Sequence, residues 1–317
     1  MMLAAVLMIG CLAGCAQPTK PADKKPLQIV TTVFPVYDWV KQILGDAVEN
    51  TEVTMLLDDG VDLHSYQPNV DDILKISTCD VFIYVGGESD EWVEDALKEA
   101  ENKEMVVINL MDILGDKAKE EEIVEGMQEE EEEEPEEEIE YDEHVWLSLQ
   151  NASFFVEEIS DSLGSIDPGH ADVYQQNAKA YMEQLKTLDQ QYQDVVEQAE
   201  KKTLVFADRF PFRYLTDDYG LTYYAAFAGC SAETEASFDT ITFLSKKVDE
   251  LTLSTVLTIE GNNHRIAETV VENTRTKDQK ILILDSMQAV TSEDVQNKTT
   301  YLSVMESNLE ILKQALQ

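Results

Sequence analysis

Basic residues are scarce in this chain: 23 Lys and Arg stand against 64 Asp and Glu, for a formal net charge of -41. That imbalance argues against a nucleic-acid binder, which gains affinity by setting Lys and Arg on phosphates. It suits a cation as partner. Cysteine is almost as rare. Of the four cysteines, Cys11 and Cys15 fall in an apolar leader, while Cys79 and Cys230 lie in different halves with no second cysteine near either. No CxxC metal or redox motif exists, and the two are read as buried free thiols rather than a disulfide. The chain also has no glycine-rich phosphate loop, no HExxH and no repeat of about 20 to 50 residues, which removes P-loop nucleotide chemistry, that class of zinc protease and solenoid architecture. Histidine is limited to four positions, His64, His144, His170 and His264.

What is present divides cleanly. The leader MMLAAVLMIGCLAGC, residues 1–15, is too short to span a bilayer and reads as a secretory signal, although no Lys or Arg precedes its apolar part. Leu12-Ala13-Gly14-Cys15 resembles the bacterial lipobox, which implies lipidation at Cys15 and a lipid anchor in the cell membrane. Residues 16–26 then form a polar, Pro- and Lys-containing tether. From Leu27 onward, continuous apolar runs of strand length alternate with segments of helical period, the pattern of a mostly parallel sheet covered on both faces. After Pro168 the apolar positions Tyr174, Ala178, Tyr181, Leu185, Leu188, Tyr192, Val195 and Ala199 step by four and three, which predicts one long amphipathic helix. The expected organisation is α/β, with a first lobe over 27–167, a linking helix over 168–201 and a second lobe over 202–317.

Within the first lobe lies an acidic loop, 116–143, whose residues from Glu120 onward are mostly carboxylates, including the unbroken run Glu129 to Glu134. Like charges repel and each would lose hydration on burial, so this segment is expected to stay in water. It reads either as a disordered, solubilising insertion or as a cation-attracting element. The run stops at Asp142-Glu143-His144.

Two histidines stand at loop positions just after strand-like runs: His64 in Asp-Leu-His-Ser-Tyr-Gln-Pro and His144 in Asp-Glu-His-Val-Trp. Ligands of open α/β sheets bind outside the carboxyl ends of strands, where such loops lie. Each histidine alone reads equally as a surface loop residue. His170 and His264 stand at helix starts and are read as turn or cap residues. Tyr66 and Trp146 are expected to pack a cleft wall.

With the opening IVTTVFPVYDW, the His-x-Tyr-x-Pro and Asp-x-His-x-Trp elements, Tyr-x-x-Asn-Ala-x-x-Tyr from Tyr174 to Tyr181 and Tyr-Gly-Leu at 219–221, the chain resembles the metal-specific class of bacterial ABC-importer solute-binding proteins, the zinc- and manganese-binding lipoproteins. The resemblance covers nearly the whole mature chain. It implies two (β/α) lobes joined by one rigid helix, a metal ion held in the cleft between them and delivery of that ion to the membrane subunits of an ABC permease. It implies no catalysis and a monomer. By the same resemblance His64 and His144 are ligands and Asp285 is the fourth. The third ligand would fall five residues before Tyr214, at Arg209, which cannot bind a cation. Asp208 is the expected substitute, with Glu235 and Glu260 in reserve; the competing reading is that Asp208 and Arg209 pair and cap a helix near Pro211. Histidines with carboxylates suit tetrahedral Zn2+, and in a roomier geometry Mn2+; zinc is expected. Zinc-binding members often carry a His-rich loop where this chain is Glu-rich, so the acidic loop is expected to attract cations without selecting among them. Two readings from other classes are a secreted zinc-dependent hydrolase, which would need a general base such as Glu235 or Glu260, and an acidic cation-buffering surface adhesin.

Overall fold

The computed structural model describes residues 25–45, 51–128, 140–231, 235–261 and 263–317. The signal, Cys15, the tether up to residue 24 and the densest glutamate run, 129–139, lie outside the described residues.

Short β-branched runs make the strands. In the first lobe these are β1 Leu27–Thr31, β2 Thr51–Met55, β3 Val81–Tyr84 and β4 Val106–Asn109; in the second, β5 Thr203–Arg209, β6 Thr222–Phe227, β7 Thr255–Thr258 and β8 Lys280–Ile283. All pairings are parallel, and the two sheets repeat one order, β2-β1-β3-β4 and β6-β5-β7-β8. Connections leave β1 and β3 in opposite directions, as they leave β5 and β7, so each lobe opens a crevice at the carboxyl ends of its central strands. β5 carries a register shift between Phe206 and Arg209, where the ladder to β6 skips a residue. Such a bulge re-aims side chains at the end of a strand.

The helix Ala171–Gln198 has 28 residues, about 42 Å at 1.5 Å per residue. Its buried face is Tyr174, Ala178, Tyr181, Leu185, Leu188, Tyr192 and Val196. Val196 replaces the expected Val195 because the last step is four rather than three, following the drift of a straight helix away from a seven-residue repeat. This face packs on helices Phe34–Leu44 and Leu149–Ile166 and on the C-terminal helix Tyr301–Ala315. Before the helix Leu149–Ile166 stands a single turn, Val145–Leu147, and Ser148 caps the helix with its hydroxyl on the Asn151 amide.

The lobes share a core. One continuous apolar cluster contains Trp39, Trp146 and Phe155 together with Tyr192, Phe206, Tyr301 and Met305, while a smaller one, including Val205, Leu244 and Val256, sits under the outer face of the second sheet. Tyr301 joins the halves: its ring meets Trp39 edge-on at 5.3 Å, its hydroxyl donates to the Trp146 carbonyl at 2.7 Å and its amide donates to the buried Asp38 carboxylate at 3.1 Å. Trp146 Nε1 in turn donates to the Ser286 carbonyl at 2.9 Å. Ser148 and Asp218 make a further contact across the seam, the Ser148 hydroxyl donating to the carboxylate.

Tyr301→Phe removes a buried donor from the Trp146 carbonyl, and the expected loss is about 1 to 3 kcal/mol. Urea denaturation should show one transition with a lower midpoint and unchanged slope. A second expectation concerns pH. Burial is the main cause that pushes Asp218 up to about 6, against about 3.9 in the unfolded chain. The folded protein therefore binds this proton more tightly, and the associated stability is present below about pH 4 and lost as pH rises toward 6. Asp218→Asn should match the wild type near pH 4 and exceed it above pH 6, by on the order of 1 to 2 kcal/mol after discounting for partial exposure.

Candidate metal centre

His64 sits on a single helical turn, Leu63–Ser65, after β2. Asp62 caps that turn by accepting from the His64 amide at 3.0 Å, buried Leu63 anchors it, and the Tyr66 hydroxyl bonds Asp72 at 3.0 Å. Asn69 and Asp72 then form a capping box for the helix Val70–Thr78. The His-x-Tyr-x-Pro motif is thus a capped turn leading into a capped helix. His144 is fully buried, and Asp142 Oδ1 accepts from both its amide at 2.8 Å and its ring Nδ1 at 3.0 Å. Trp146 meets the His144 ring edge-on at 5.3 Å.

The two rings face each other. Their Nε2 atoms are 3.2 Å apart, close to the roughly 3.3 Å that two imidazole ligands at 2.0–2.1 Å would subtend at a tetrahedral zinc ion. Each outer nitrogen has its own partner: His144 Nδ1 has Asp142, while His64 Nδ1 lies 2.8 Å from Ser89 Oγ and 3.5 Å from Glu143 Oε2. Glu143 is oriented by the Ser89 amide at 2.8 Å, and its Oε2 is buried without a hydrogen-bond partner. Metal-binding histidines characteristically have the second nitrogen fixed in this way. Gly87 makes room, with φ at +85° and the Glu143 carboxylate packed where a Cβ would be.

Burial, reinforced by the nearby His144, lowers His64 to about 3, so it stays neutral. Burial would lower His144 as well, but the Asp142 carboxylate outweighs it and holds the imidazole above its usual range. Burial raises Glu143 to about 7.

A third potential ligand completes the group. Cys230, just beyond β6, places its sulfur so that the donor atoms of His64, His144 and Cys230 all lie within 4.8 Å of one another. Both Cys79 and Cys230 are free, Cys79 buried and Cys230 half-buried. The sequence suggests a buried free thiol at Cys230, and the thiol is free but only half-buried. The available signal was a cysteine with no partner, placed directly after the carboxyl end of a sheet strand.

The other expected ligands are not among these three grouped residues. Asp208 accepts from the Thr258 hydroxyl, from the Ile259 amide at 3.4 Å and from the Arg209 amide, tying β5 to β7 at the bulge. Arg209 does pair with a carboxylate, but the partner is Asp62 of the first lobe, and its Nη1 donates to the Ser231 carbonyl at 3.4 Å. The reading of Asp208 and Arg209 as a helix-capping pair fails, since the next helix begins at Arg213 behind Phe212 with no side-chain cap. Asp285 accepts from the Met287 amide at 2.8 Å, and burial together with Glu260 raises it to about 7. Glu260 binds the Ser286 amide and hydroxyl and the Gln288 amide at 2.6 to 3.0 Å. Glu235 is exposed ahead of the helix Phe238–Glu250. His170 and His264 occupy the N-cap positions of helices, as expected.

The first part of the acidic loop corrects the expectation of a wholly solvated run. Glu121 Oε1 accepts from the Cys230 amide at 2.7 Å, Glu122 meets Tyr223 and Arg213 at 3.1 and 3.4 Å, and Gln128 bonds the Ala226 carbonyl at 2.9 Å. Donors on the second lobe meet the charges one by one, so this segment packs where a block of glutamates alone could not.

The chain is similar to several known proteins. The zinc-binding lipoprotein AdcA of Streptococcus pneumoniae is 34% identical over 307 residues, covering 96% of this chain and 58% of that protein; the chain thus spans little over half of that relative. The high-affinity zinc uptake system protein ZnuA of Bacillus subtilis is 29% identical over 320 residues, 99% of this chain and 96% of that one. Among solved structures, the Zn(II)-bound ZnuA-like domain of S. pneumoniae AdcA superposes with a TM-score of 0.72 at 31% identity over 92% of this chain and 99% of that domain. The laminin-binding adhesin Lmb of Streptococcus agalactiae gives 0.74 at 26% identity, over 92% of this chain and all of that one. The family model described as zinc-uptake complex component A periplasmic, ZnuA, matches residues 29–315, and the chain belongs to that family.

Proposed function

We propose that this protein is the extracytoplasmic binding component of a zinc importer, capturing Zn2+ as cargo in the cleft between its lobes and passing it to the membrane subunits of an ABC permease. The observation that carries this reading is the pair of facing Nε2 atoms of His64 and His144, buried, 3.2 Å apart and each backed by a partner on the far nitrogen. The ion replaces the contact between the two rings and is released intact, with no reaction catalysed. None of the relatives compared above is named for a hydrolytic activity. A monomer held at the membrane by a lipid on Cys15 is the arrangement that fits the lipobox-like leader; among the described residues no helix is long and apolar enough to cross a membrane. The likeness to a laminin-binding adhesin supports adhesion as a second reading.

Protein purified without added metal and then titrated with zinc should bind one ion tightly. At a free zinc concentration about 1,000 times Kd the expected stabilisation is about 4 kcal/mol, which for a chain of this size raises Tm by about 6 to 7 °C. His64→Ala and His144→Ala should each abolish most of that rise. An unchanged rise in the double variant would refute the assignment. The glutamate run has a different expected effect. Deleting 129–139 should leave equilibrium affinity unaltered and slow zinc association at low ionic strength, with the difference vanishing at high salt in stopped-flow measurements.

A further inference from the structure

We propose that Cys230 supplies the third protein ligand of the metal centre, making it a two-histidine, one-thiolate site. This inference rests on the zinc-binding reading above and specifies the chemistry of that same site. Two imidazoles do not complete a zinc site, which takes three or four protein ligands. At the position where the family resemblance puts the third stands Arg209, which has no lone pair to offer. Asp208 beside it is already bound to the Thr258 hydroxyl and the Ile259 amide. The Cys230 sulfur, in contrast, already lies with both histidines within 4.8 Å, and closing that distance to metal-bond length takes only a small movement of its loop.

The surroundings hold Cys230 in place relative to the histidines. Glu121 from the acidic segment fixes its amide at 2.7 Å. Gly229, the residue before it, packs so closely that a Cβ there would stand 3.2 Å from His144 Cε1 and 2.9 Å from the Phe210 carbonyl. Ser231, the residue after it, is held through its carbonyl by Arg209, whose other nitrogen pairs with Asp62, and Asp62 caps the turn carrying His64. The arginine that replaces a family ligand therefore links the loop of His64 to the loop of Cys230 and acts as a positioning residue for both. As the sulfur–metal bond forms, the thiol proton leaves to solvent. A thiolate with two imidazoles is a softer donor set than histidines with carboxylates, and it selects zinc over manganese.

Cobalt(II) and zinc titrations of the full chain test this. Cobalt bound through a thiolate gives an intense sulfur-to-metal charge-transfer band in the near ultraviolet, which nitrogen and oxygen ligands do not produce. The wild type and Cys79→Ser should show the band, and Cys230→Ser should lose it together with at least about tenfold in zinc affinity, since even loss of a partner behind a ligand costs that much. X-ray absorption on the zinc-loaded wild type should show a sulfur neighbour at about 2.3 Å, a readout that needs no variant to fold. If the wild type binds cobalt and zinc without the band or the sulfur neighbour, Cys230 is not a ligand while zinc capture stands. If it binds neither metal, the zinc-binding reading falls and this inference with it.

Discussion

Two ring nitrogens held face to face in a buried place set the terms for the rest of the molecule. Asp142 accepts from His144 Nδ1, so whenever that ring is neutral its Nε2 presents a lone pair. His64 can answer it in two ways. With the ring's hydrogen on Nε2 it donates to His144, and the Ser89 hydroxyl donates to Nδ1; with an ion between the rings the hydrogen moves to Nδ1, where Ser89 Oγ and the unpartnered Glu143 Oε2 accept it. A hydroxyl, which can both donate and accept, serves either tautomer. Burial keeps His64 neutral. The centre is thus built to exchange a hydrogen bond for an ion without moving its rings.

Keeping the rings still is the task of the shared core. Trp146 lies against His144, reaches Ser286 of the second lobe with its indole and takes the Tyr301 hydroxyl on its carbonyl. Tyr301 continues to Trp39 and Asp38, and the long helix runs behind all of them. A rigid-body rotation of the lobes would have to pull this buried aromatic layer apart, at a cost comparable to several large-to-small core substitutions. The ion therefore meets a centre whose ordering entropy was already spent in folding, which favours tight capture.

The parts legible in the sequence were those with local causes. β-branched runs gave the strands, the four-and-three spacing gave the long helix, and the two histidine motifs carry their own caps, so His64 and His144 could be singled out from their neighbours alone. Cys230 could not. His64, His144 and Cys230 come from three loops more than eighty residues apart in the chain on average, brought together by the sheet order and by the packing of two lobes. The orientation of Asp208 has an equally specific cause. The bulge that ends β5 turns Asp208 toward β7 and Arg209 toward the first lobe, and nothing in Phe-Ala-Asp-Arg-Phe announces the extra residue. Likewise, a row of glutamates carries no mark of which member will meet a backbone amide; Glu121 does because Cys230 is opposite it.

Charge closes the account of the centre. Asp62, Asp142, Glu143 and Glu121 each touch one member of the His64, His144 and Cys230 group. Arg209 neutralises Asp62, and the excess of negative charge that remains has no compensating Lys in contact with it among the described ion pairs. Carboxylates crowded in a place of low dielectric raise one another's affinity for any cation, and burial has itself raised Glu143 to about 7. A divalent ion bound there is attracted by the same field, and an anion is rejected by it. Attraction of this kind does not discriminate among metals. With the proposed ligands, selection comes from the donors at short range, where imidazole and sulfur favour zinc, while the carboxylates remain one bond away as partners of those ligands. The long acidic segment and the compact centre thus act at different ranges on one cation, the first through charge and the second through bonding.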